Sequence, residues 1–236
     1  VTRTLNQGAN ALEIWLLDAA GNRSESVWLD VFVDSVAPSA TAVVPENNSF
    51  LNTPPANVTI TYQEATSGLI LENTGKSIKN VSAQEVDGTW SLGGTNQLIF
   101  TPSVPFAESS YTVSVQLEDT LGNRSVAYSY AFAYDATAPA APVVNPVVSP
   151  VQNQNLTASG TKEAYAAILL NGTQVVGNTA ETTWQYTHVL TSGSNTLVFT
   201  AKDRAGNVSA TGTTVTVVYD DVPPQAVTTL TVNGDG

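Results

Sequence analysis

The stretch AKDRAGNVS at residues 201–209 has two close relatives elsewhere in the chain, LLDAAGNRS at 16–24 and LEDTLGNRS at 117–125. All three follow the pattern Asp-x-x-Gly-Asn-x-Ser. Apolar residues recur at every second position on both sides of each copy. A period of two around a short Gly-Asn turn is typical of a β-hairpin. The motif therefore predicts three hairpins of one kind.

Each predicted hairpin ends in a linker that contains an aspartate and a proline. The linker aspartate lies 16, 16 and 17 residues after the motif aspartate, in VDSVAP (33–38), YDATAP (134–139) and YDDVPP (219–224). Such regular spacing indicates tandem modules. Because proline fixes its own φ, we expect the joints between the modules to be stiff.

These joints divide the chain into four predicted parts. The first part aligns with residues 186–220, so we expect it to be the last two strands of a module. The last part has the pattern of the first strand of another module. The parts are residues 1–34, 35–135, 136–220 and 221–236.

The segments between the joints have the pattern of short strands separated by Asn, Gly and Pro clusters, without the apolar stripe of an amphipathic helix. Modules of this size with such strands favour an all-β fold of tandem Ig-like β-sandwiches, which we expect to be arranged end to end. The candidate strands are residues 57–62, 97–101, 155–161 and 166–170.

Composition limits the possible functions. The 236 residues include no Cys, and 20 acidic against 8 basic residues give a net charge of −12. Without cysteine there is no disulfide and no thiol chemistry. The acidic balance argues against a nucleic-acid partner, because phosphate binding requires a basic surface. No apolar run is long enough for a transmembrane helix, so we expect no membrane insertion of this segment.

Catalytic motifs are missing from the sequence. His188 is the one histidine, and it lies in a predicted strand without a Cys or a second His to help it hold zinc. No Gly-x-Ser-x-Gly sequence is present to position a nucleophilic serine. We therefore expect no catalytic residues and no enzymatic activity.

Carboxylates are expected to converge at the joints. The last strand of a sandwich is roughly 30 Å long, so a linker aspartate lies far from the turn of its own module and close to the turn of the next. A glutamate that follows the second strand reaches the same end. Three carboxylates and an amide offer the hard oxygen ligands that Ca²⁺ prefers. The two predicted calcium sets are Asp34, Glu64, Asp119 and Asn123, and Asp135, Glu163, Asp203 and Asn207.

The motif also has an explanation that needs no ion. An aspartate at the start of a turn accepts hydrogen bonds from the turn's own amides, glycine adopts positive φ, and asparagine tolerates the left-handed region. The acidic spacing of an EF-hand loop is missing, which excludes that type of calcium site. Both interpretations, turn cap and calcium ligand, remain open on sequence alone.

The four tryptophans fall into two pairs. Trp90 and Trp184 each lead into a predicted strand, and we expect them to pack in or at the end of a core. Trp15 and Trp28 are out of phase with the apolar residues of their strands, which places both on the outer face of one hairpin. We expect them to pack against the remainder of their module; a sugar-stacking platform is the alternative.

Several stretches resemble known families. The DxxGN hairpin followed by Asp-x-x-x-Pro resembles bacterial Ig-like domains of large surface adhesins and secreted multidomain enzymes. Residues 159–176 and 190–209 are similar to an Ig-like module that accompanies secreted polysaccharide-active enzymes. Residues 98–123 are similar to the Ig-like type of S-layer and cell-surface proteins, and PPQAVTTLTV (223–232) resembles the opening of a fibronectin type III domain.

This resemblance implies a non-catalytic spacer or stalk segment of a bacterial extracellular or cell-surface protein, with joints stiffened by calcium. Its expected partners are the neighbouring domains of the same chain, and a cell-surface glycan or protein reached through other domains. The alternative is a carbohydrate-binding accessory region of a polysaccharide-active enzyme or adhesin.

Overall fold

The computed structural model describes residues 2–64 and 67–228. Within these ranges the regular structure consists of seventeen β-strands, which confirms the predicted all-β fold class. The chain divides into two compact units, Val1–Asp135 and Ala136–Gly236, and each has its own sheets and core. No helix in the described ranges is long and apolar enough to cross a membrane.

The first unit contains ten strands and three sheets. The strands are β1 (Gly8–Ile14), β2 (Val27–Val33), β3 (Ser39–Val44), β4 (Ser49–Leu51), β5 (Val58–Gln63), β6 (Gly75–Asn80), β7 (Gly88–Gly93), β8 (Gln97–Pro102), β9 (Ser109–Gln116) and β10 (Tyr128–Tyr134). Strands β1 and β2 form a two-stranded antiparallel sheet of their own.

Strands β3 to β10 form a sandwich with the strand order of an Ig constant-type domain. One sheet has the order β3-β5-β8-β7 and the other β4-β10-β9-β6. In Ig nomenclature these are strands ABED opposite GFC, with a short additional edge strand beside G. That edge strand, β4, pairs in parallel with β10. The sandwich thus brings the ends of β5 and β9 to one pole, where the candidate site lies.

The core of this sandwich follows from alternation along its strands. In β9, Tyr111, Val113 and Val115 are buried, while the residues between them are exposed or partly exposed. The rings of Phe106 and Phe132 pack edge to face with centroids 5.6 Å apart, an arrangement that aromatic quadrupoles favour. Trp90 packs against this core from β7, as predicted.

The second unit contains seven strands in two sheets. They are β11 (Val143–Val144), β12 (Asn155–Thr161), β13 (Ala167–Leu170), β14 (Thr173–Val176), β15 (Thr183–Val189), β16 (Gly193–Lys202) and β17 (Thr213–Tyr219). The sheet orders are β11-β12-β15 and β14-β13-β16-β17. The predicted first strand of a further module falls partly on residues 229–236, outside the described residues, and residues 221–228 form no strand.

The two sandwiches differ in the sheet that the next strand joins after β6 in the first unit and after β13 in the second. The difference comes from the chemistry of the connecting turn. Asn171 and Gly172 have φ of +49° and +84°, which matches a tight hairpin turn with positive φ at both central residues. This turn returns β14 beside β13. In the first unit residues 81–87 separate β6 from β7, and β7 pairs with β8 in the opposite sheet.

Trp184 anchors the core of the second unit. It is 5% exposed, and its ring lies 5.2 Å from that of Phe199. Its indole N–H donates to the carbonyl oxygens of Val143 and Thr161, at 3.3 and 3.2 Å. A buried Trp requires such a partner for its N–H. The prediction that Trp184 packs in a core is therefore confirmed.

Substitution of Gly160 by alanine should destabilise the second unit. A Cβ there would lie 1.8 Å from the carbonyl oxygen of Val143, so β11 would have to move away from β12. We expect a loss of roughly 1–3 kcal/mol, measured by urea unfolding of the full chain followed by circular dichroism. The control is Gly177→Ala, because a Cβ there meets no heavy atom within 4 Å. Equal unfolding midpoints for both variants would contradict this packing.

Candidate functional site

Each Asp-x-x-Gly-Asn-x-Ser copy folds into the same turn. The asparagine donates its backbone N–H to one carboxylate oxygen of the aspartate and its side-chain N–H to the other. The two distances are 2.9 and 2.8 Å in the first copy, 2.8 and 2.7 Å in the second, and 2.8 and 2.8 Å in the third. The glycine φ values are +89°, +88° and +96°. The turn-cap interpretation thus accounts for Asp, Gly and Asn in every copy.

The serine that ends the motif closes the base of the turn. Its hydroxyl oxygen accepts the backbone N–H of the residue that lies two positions before the aspartate. The donors are Leu16 at 2.9 Å, Leu117 at 2.9 Å and Ala201 at 3.1 Å. All four defined residues of the motif therefore have a structural role in the hairpin.

These hydrogen bonds favour the ionised form of the aspartate. At Asp119 burial acts to raise the pKa, but bonds from the side chain and backbone of Asn123, and from the backbone of Leu121, bring it below the ordinary value of 3.8. At the exposed Asp18 the side-chain bond from Asn22 is the largest cause, and the pKa is also lowered. Both carboxylates are charged at neutral pH.

The second copy of the turn lies in a cluster of three carboxylates. One oxygen of each of Asp34, Glu64 and Asp119 lies within 4.8 Å of the others. Asp34 follows β2, Glu64 follows β5, and Asp119 follows β9. Asp119 is 0% exposed, whereas Asp34 and Glu64 are partly exposed as residues. The structure thus brings together carboxylates from three distant segments of the chain.

Asn123, the fourth predicted residue of this set, links two of the carboxylate-bearing segments. Its side-chain N–H group donates to the backbone oxygen of Asp34 at 3.1 Å and to the carboxylate of Asp119 at 2.7 Å. The amide therefore holds the linker against the turn, and its nitrogen is committed to this role. Any contribution of Asn123 to an ion comes from its position beside the cluster or from its amide oxygen.

The linker is also held by a residue that sequence reasoning missed. The side-chain amide of Gln7 donates to the carboxylate of Asp34 at 2.6 Å, and its oxygen accepts the backbone N–H of Ser35 at 3.1 Å. Asp34 in addition accepts the backbone N–H of Val36 at 3.1 Å. Gln7 precedes β1 by one residue, and no spacing rule in the sequence marks it as a linker contact.

The loop after Glu64 is fastened to the turn as well. The backbone N–H of Thr120 donates to the carbonyl of Gly68 at 3.0 Å, and its hydroxyl donates to the carbonyl of Ser67 at 2.6 Å. The backbone N–H of Ser67 donates to the Glu64 carboxylate at 3.3 Å. These contacts keep Glu64 beside Asp119.

The second predicted set is divided between the two units. Asp135 directly follows β10 in the first unit. Its backbone N–H donates to the carbonyl oxygen of Leu51 at 2.9 Å. Glu163 follows β12, and Asp203 and Asn207 form the third turn, all in the second unit. Their convergence stays a prediction.

An ion pair between a buried glutamate and an exposed arginine lies beside the cluster and was also not predicted. Glu118 is 7% exposed, and one of its carboxylate oxygens lies 2.6 Å from the guanidinium of Arg124. Asn73 donates to its other oxygen at 3.1 Å. In two copies of the motif an arginine follows Gly-Asn, and in both it forms an ion pair with a glutamate that precedes the turn. In the first copy Arg23 contacts Glu13 at 2.6 Å. The arginine at the same place in two copies was the available signal, although the paired glutamates occupy different positions before the turn.

The other singled-out residues lie away from the cluster. His188 is partly buried on β15, with its ring 6.3 Å from that of Tyr186, as expected for a strand side chain. Trp15 and Trp28 lie on the β1–β2 hairpin and are 42% and 64% exposed. The Arg23 guanidinium lies over the Trp15 ring, 3.7 Å from its centroid.

Comparisons with known proteins identify no family. No family model matches the chain, and no curated protein matches it in sequence. Among solved structures, fibronectin(III)-like modules of Clostridium thermocellum CbhA share 12% identity at a TM-score of 0.47, over 80% of this chain and 100% of that one. PcoC, a methionine-rich copper resistance protein from Escherichia coli, shares 16% identity at a TM-score of 0.38, over 42% and 100%. Similarities at such values of identity and TM-score do not indicate a function. The sandwich architecture is instead established by the strand orders of the two units.

Replacement of Asp119 by asparagine should destabilise the first unit. Both carboxylate oxygens accept N–H groups, so an amide nitrogen at one position would face a donor. We expect a loss of about 1–3 kcal/mol at neutral pH in the presence of a chelator, measured by urea unfolding. Because the pKa of Asp119 is lowered in the folded state, the wild-type advantage should be full above pH 3.8 and fall as the pH drops through the folded pKa.

The exposed turn provides the control for this effect. Asp18→Asn removes the same hydrogen bonds from a carboxylate that remains hydrated, so it should cost less. An Asp119→Asn variant as stable as wild type at neutral pH, or a difference that grows on acidification, would contradict the proposed role of the ionised cap.

Proposed function

We propose that the chain is a non-catalytic spacer segment of an extracellular or cell-surface multidomain protein, and that a calcium ion at the Asp34 joint stiffens it. The observation that carries this proposal is the meeting of Asp34, Glu64 and Asp119 carboxylates within 4.8 Å. One of the three comes from the linker and two come from the sandwich, so an ion bound by all three would join the linker to the sandwich.

Electrostatics supports a cation at this position. Three carboxylates at such distances repel one another, and burial of Asp119 weakens the screening by water. The pKa of Asp119 is nevertheless lowered, because the turn's hydrogen bonds favour its charged form. Protonation of Asp119 is therefore a poor way to relieve the repulsion at neutral pH. A divalent cation relieves it without the loss of these hydrogen bonds.

The type of ligand favours calcium over transition metals. The cluster offers carboxylate oxygens and no sulfur or imidazole, and hard oxygen donors suit Ca²⁺ and Mg²⁺. The ligands come from a linker, a loop and a turn, and Ca²⁺ accepts the irregular geometry and added water that such a set provides. Mg²⁺ requires a near-ideal octahedron.

The proposed mechanical role follows from the position of the ligands, since Asp34 lies in the linker and Glu64 and Asp119 lie in the sandwich. Residues 34–38 connect β2 to β3 and contain Pro38. In the absence of an ion, the linker is held by the hydrogen bond from Asn123 to the Asp34 carbonyl and by Gln7. An ion would add a strong restraint at the Asp34 carboxylate and limit bending between the β1–β2 hairpin and the sandwich.

Calcium should raise the melting temperature of the full chain. Binding that requires the folded joint stabilises it by about 2.7 kcal/mol at one hundred times the dissociation constant. Scanning calorimetry in calcium, in magnesium and in a chelator measures the effect. We expect the increase in calcium to exceed that in magnesium and to shrink in Asp34→Asn, which replaces a charged ligand by a neutral amide oxygen without altering the turn.

Asp18→Asn is the matched control, because it changes a motif aspartate outside the cluster. That variant should keep the calcium response. A wild-type melting temperature that does not change with millimolar calcium, or a response that is as large in Asp34→Asn as in wild type, would rule out the calcium joint.

A further inference from the structure

The β1–β2 hairpin has two chemically different faces. The pairing Leu12↔Leu29 lies on one face, and Glu13↔Trp28 and Ala9↔Phe32 lie on the other. Trp15 lies on the side of Trp28, because the Arg23 guanidinium is centred 3.7 Å over the Trp15 ring and also contacts Glu13 at 2.6 Å. We call the side that carries Trp15, Trp28 and Phe32 the aromatic face and the opposite side the aliphatic face.

The aliphatic face corresponds to the core face of a complete sandwich. Gly8 pairs with Val33 as Gly193 pairs with Tyr219, so Leu12 corresponds to Leu197. In the second unit Leu197, Phe199 and Val217 on this face are at most 2% exposed. Strands that complete the hairpin to a sandwich would therefore cover the aliphatic face and leave the aromatic face open. The expectation that the remainder of the module packs over Trp15 and Trp28 does not fit this register.

The fold does not require aromatic residues on the outward face. At the three corresponding positions the hairpin of β9 and β10 and the hairpin of β16 and β17 carry residues that are not aromatic. They are Gln116, Ser129 and Ala133 in the first hairpin, and Thr200, Thr214 and Val218 in the second. The same turn and the same register thus form without the aromatic side chains, so the hairpin fold does not require Trp28 and Phe32.

The aromatic face is an exposed row of rings with charged groups between them. Trp15, Trp28 and Phe32 are 42%, 64% and 48% exposed. Trp28 and Phe32 are separated by four residues on one strand, roughly 13 Å. Glu13 lies opposite Trp28, and Asp30 lies between Trp28 and Phe32.

We propose that the aromatic face of the β1–β2 hairpin binds an extended, uncharged oligosaccharide. The C–H faces of sugar rings stack on flat aromatic surfaces, and carboxylates accept hydrogen bonds from hydroxyls. The two rings along β2, Trp28 and Phe32, suit a chain that runs straight. This role goes beyond the spacer function and does not depend on the calcium joint.

Charge and polarity favour this ligand over other partners. A net charge of −12 disfavours phosphate-bearing chains and anionic membranes. An apolar protein partner would bury the Asp30 carboxylate, which is costly without a basic group opposite it. A neutral polyhydroxyl chain stacks on the rings and provides donors for the carboxylates.

Calorimetric titration of the full chain with cellohexaose tests the proposal, with maltohexaose as the curved counterpart. A chelator in every titration separates the result from the calcium joint. We expect cellohexaose to bind more tightly than maltohexaose. Trp28→Ala should weaken this binding by roughly tenfold or more, as truncation of an aromatic anchor does, and Phe32→Ala should weaken it less.

Thr214→Ala is the matched control, because Thr214 occupies the position of Trp28 in the second unit. It should leave binding unchanged, and the melting temperature of all variants should equal that of wild type. The proposal is overturned by an absence of binding to cellohexaose, by equal binding of maltohexaose, or by binding that survives both Trp28→Ala and Phe32→Ala. Sedimentation that shows self-association lost in Trp28→Ala would assign the face to a second copy of the chain instead.

Discussion

The hydrogen bonds between the aspartate and the asparagine of one tight turn determine the register of three hairpins. A slip of one residue in a strand pair would move every inward side chain to the outside. The turn prevents the slip by using both carboxylate oxygens and a glycine with positive φ, so that Val113 and Val115 of β9 face the core. The β1–β2 hairpin has the same register, although no other strand of the described residues joins its sheet, which is consistent with a register set by local chemistry.

The motif carboxylate has a different environment in the first two copies of the motif, which both lie in the first unit. Asp18 is exposed, whereas Asp119 is fully buried, because the linker at Asp34 and the loop after Glu64 close over it. A structural cap thereby becomes part of a cluster of three carboxylates. Asp119 stays charged in such surroundings because the N–H groups of the turn stabilise its negative carboxylate. Local turn chemistry and the proposed calcium joint are therefore compatible, and both use Asp119.

Features governed by local pattern were predictable from sequence. Alternation gave the strands, and the spacing between motif and linker aspartates placed Asp34 beside Asp119. The geometry of a sandwich then placed Glu64 near both. Contacts that depend on side-chain reach were not predictable. Gln7 reaches the linker from the chain segment before β1, and Glu118 pairs with Arg124 across the base of the turn. The pairing of β14 with β13 depends on the two-residue turn Asn171-Gly172, and this Asn-Gly pair is visible in the sequence.

Hydrogen exchange in the linker tests the account most directly. The backbone N–H of Val36 donates to Asp34 and that of Ser35 donates to Gln7, so both report on whether the linker is held. Exchange in residues 34–38 is measured in calcium and in a chelator, with the exposed turn at residues 18–24 as the internal reference. We expect calcium to slow exchange in the linker and to leave the reference turn unchanged. Equal linker exchange in both solutions would contradict it.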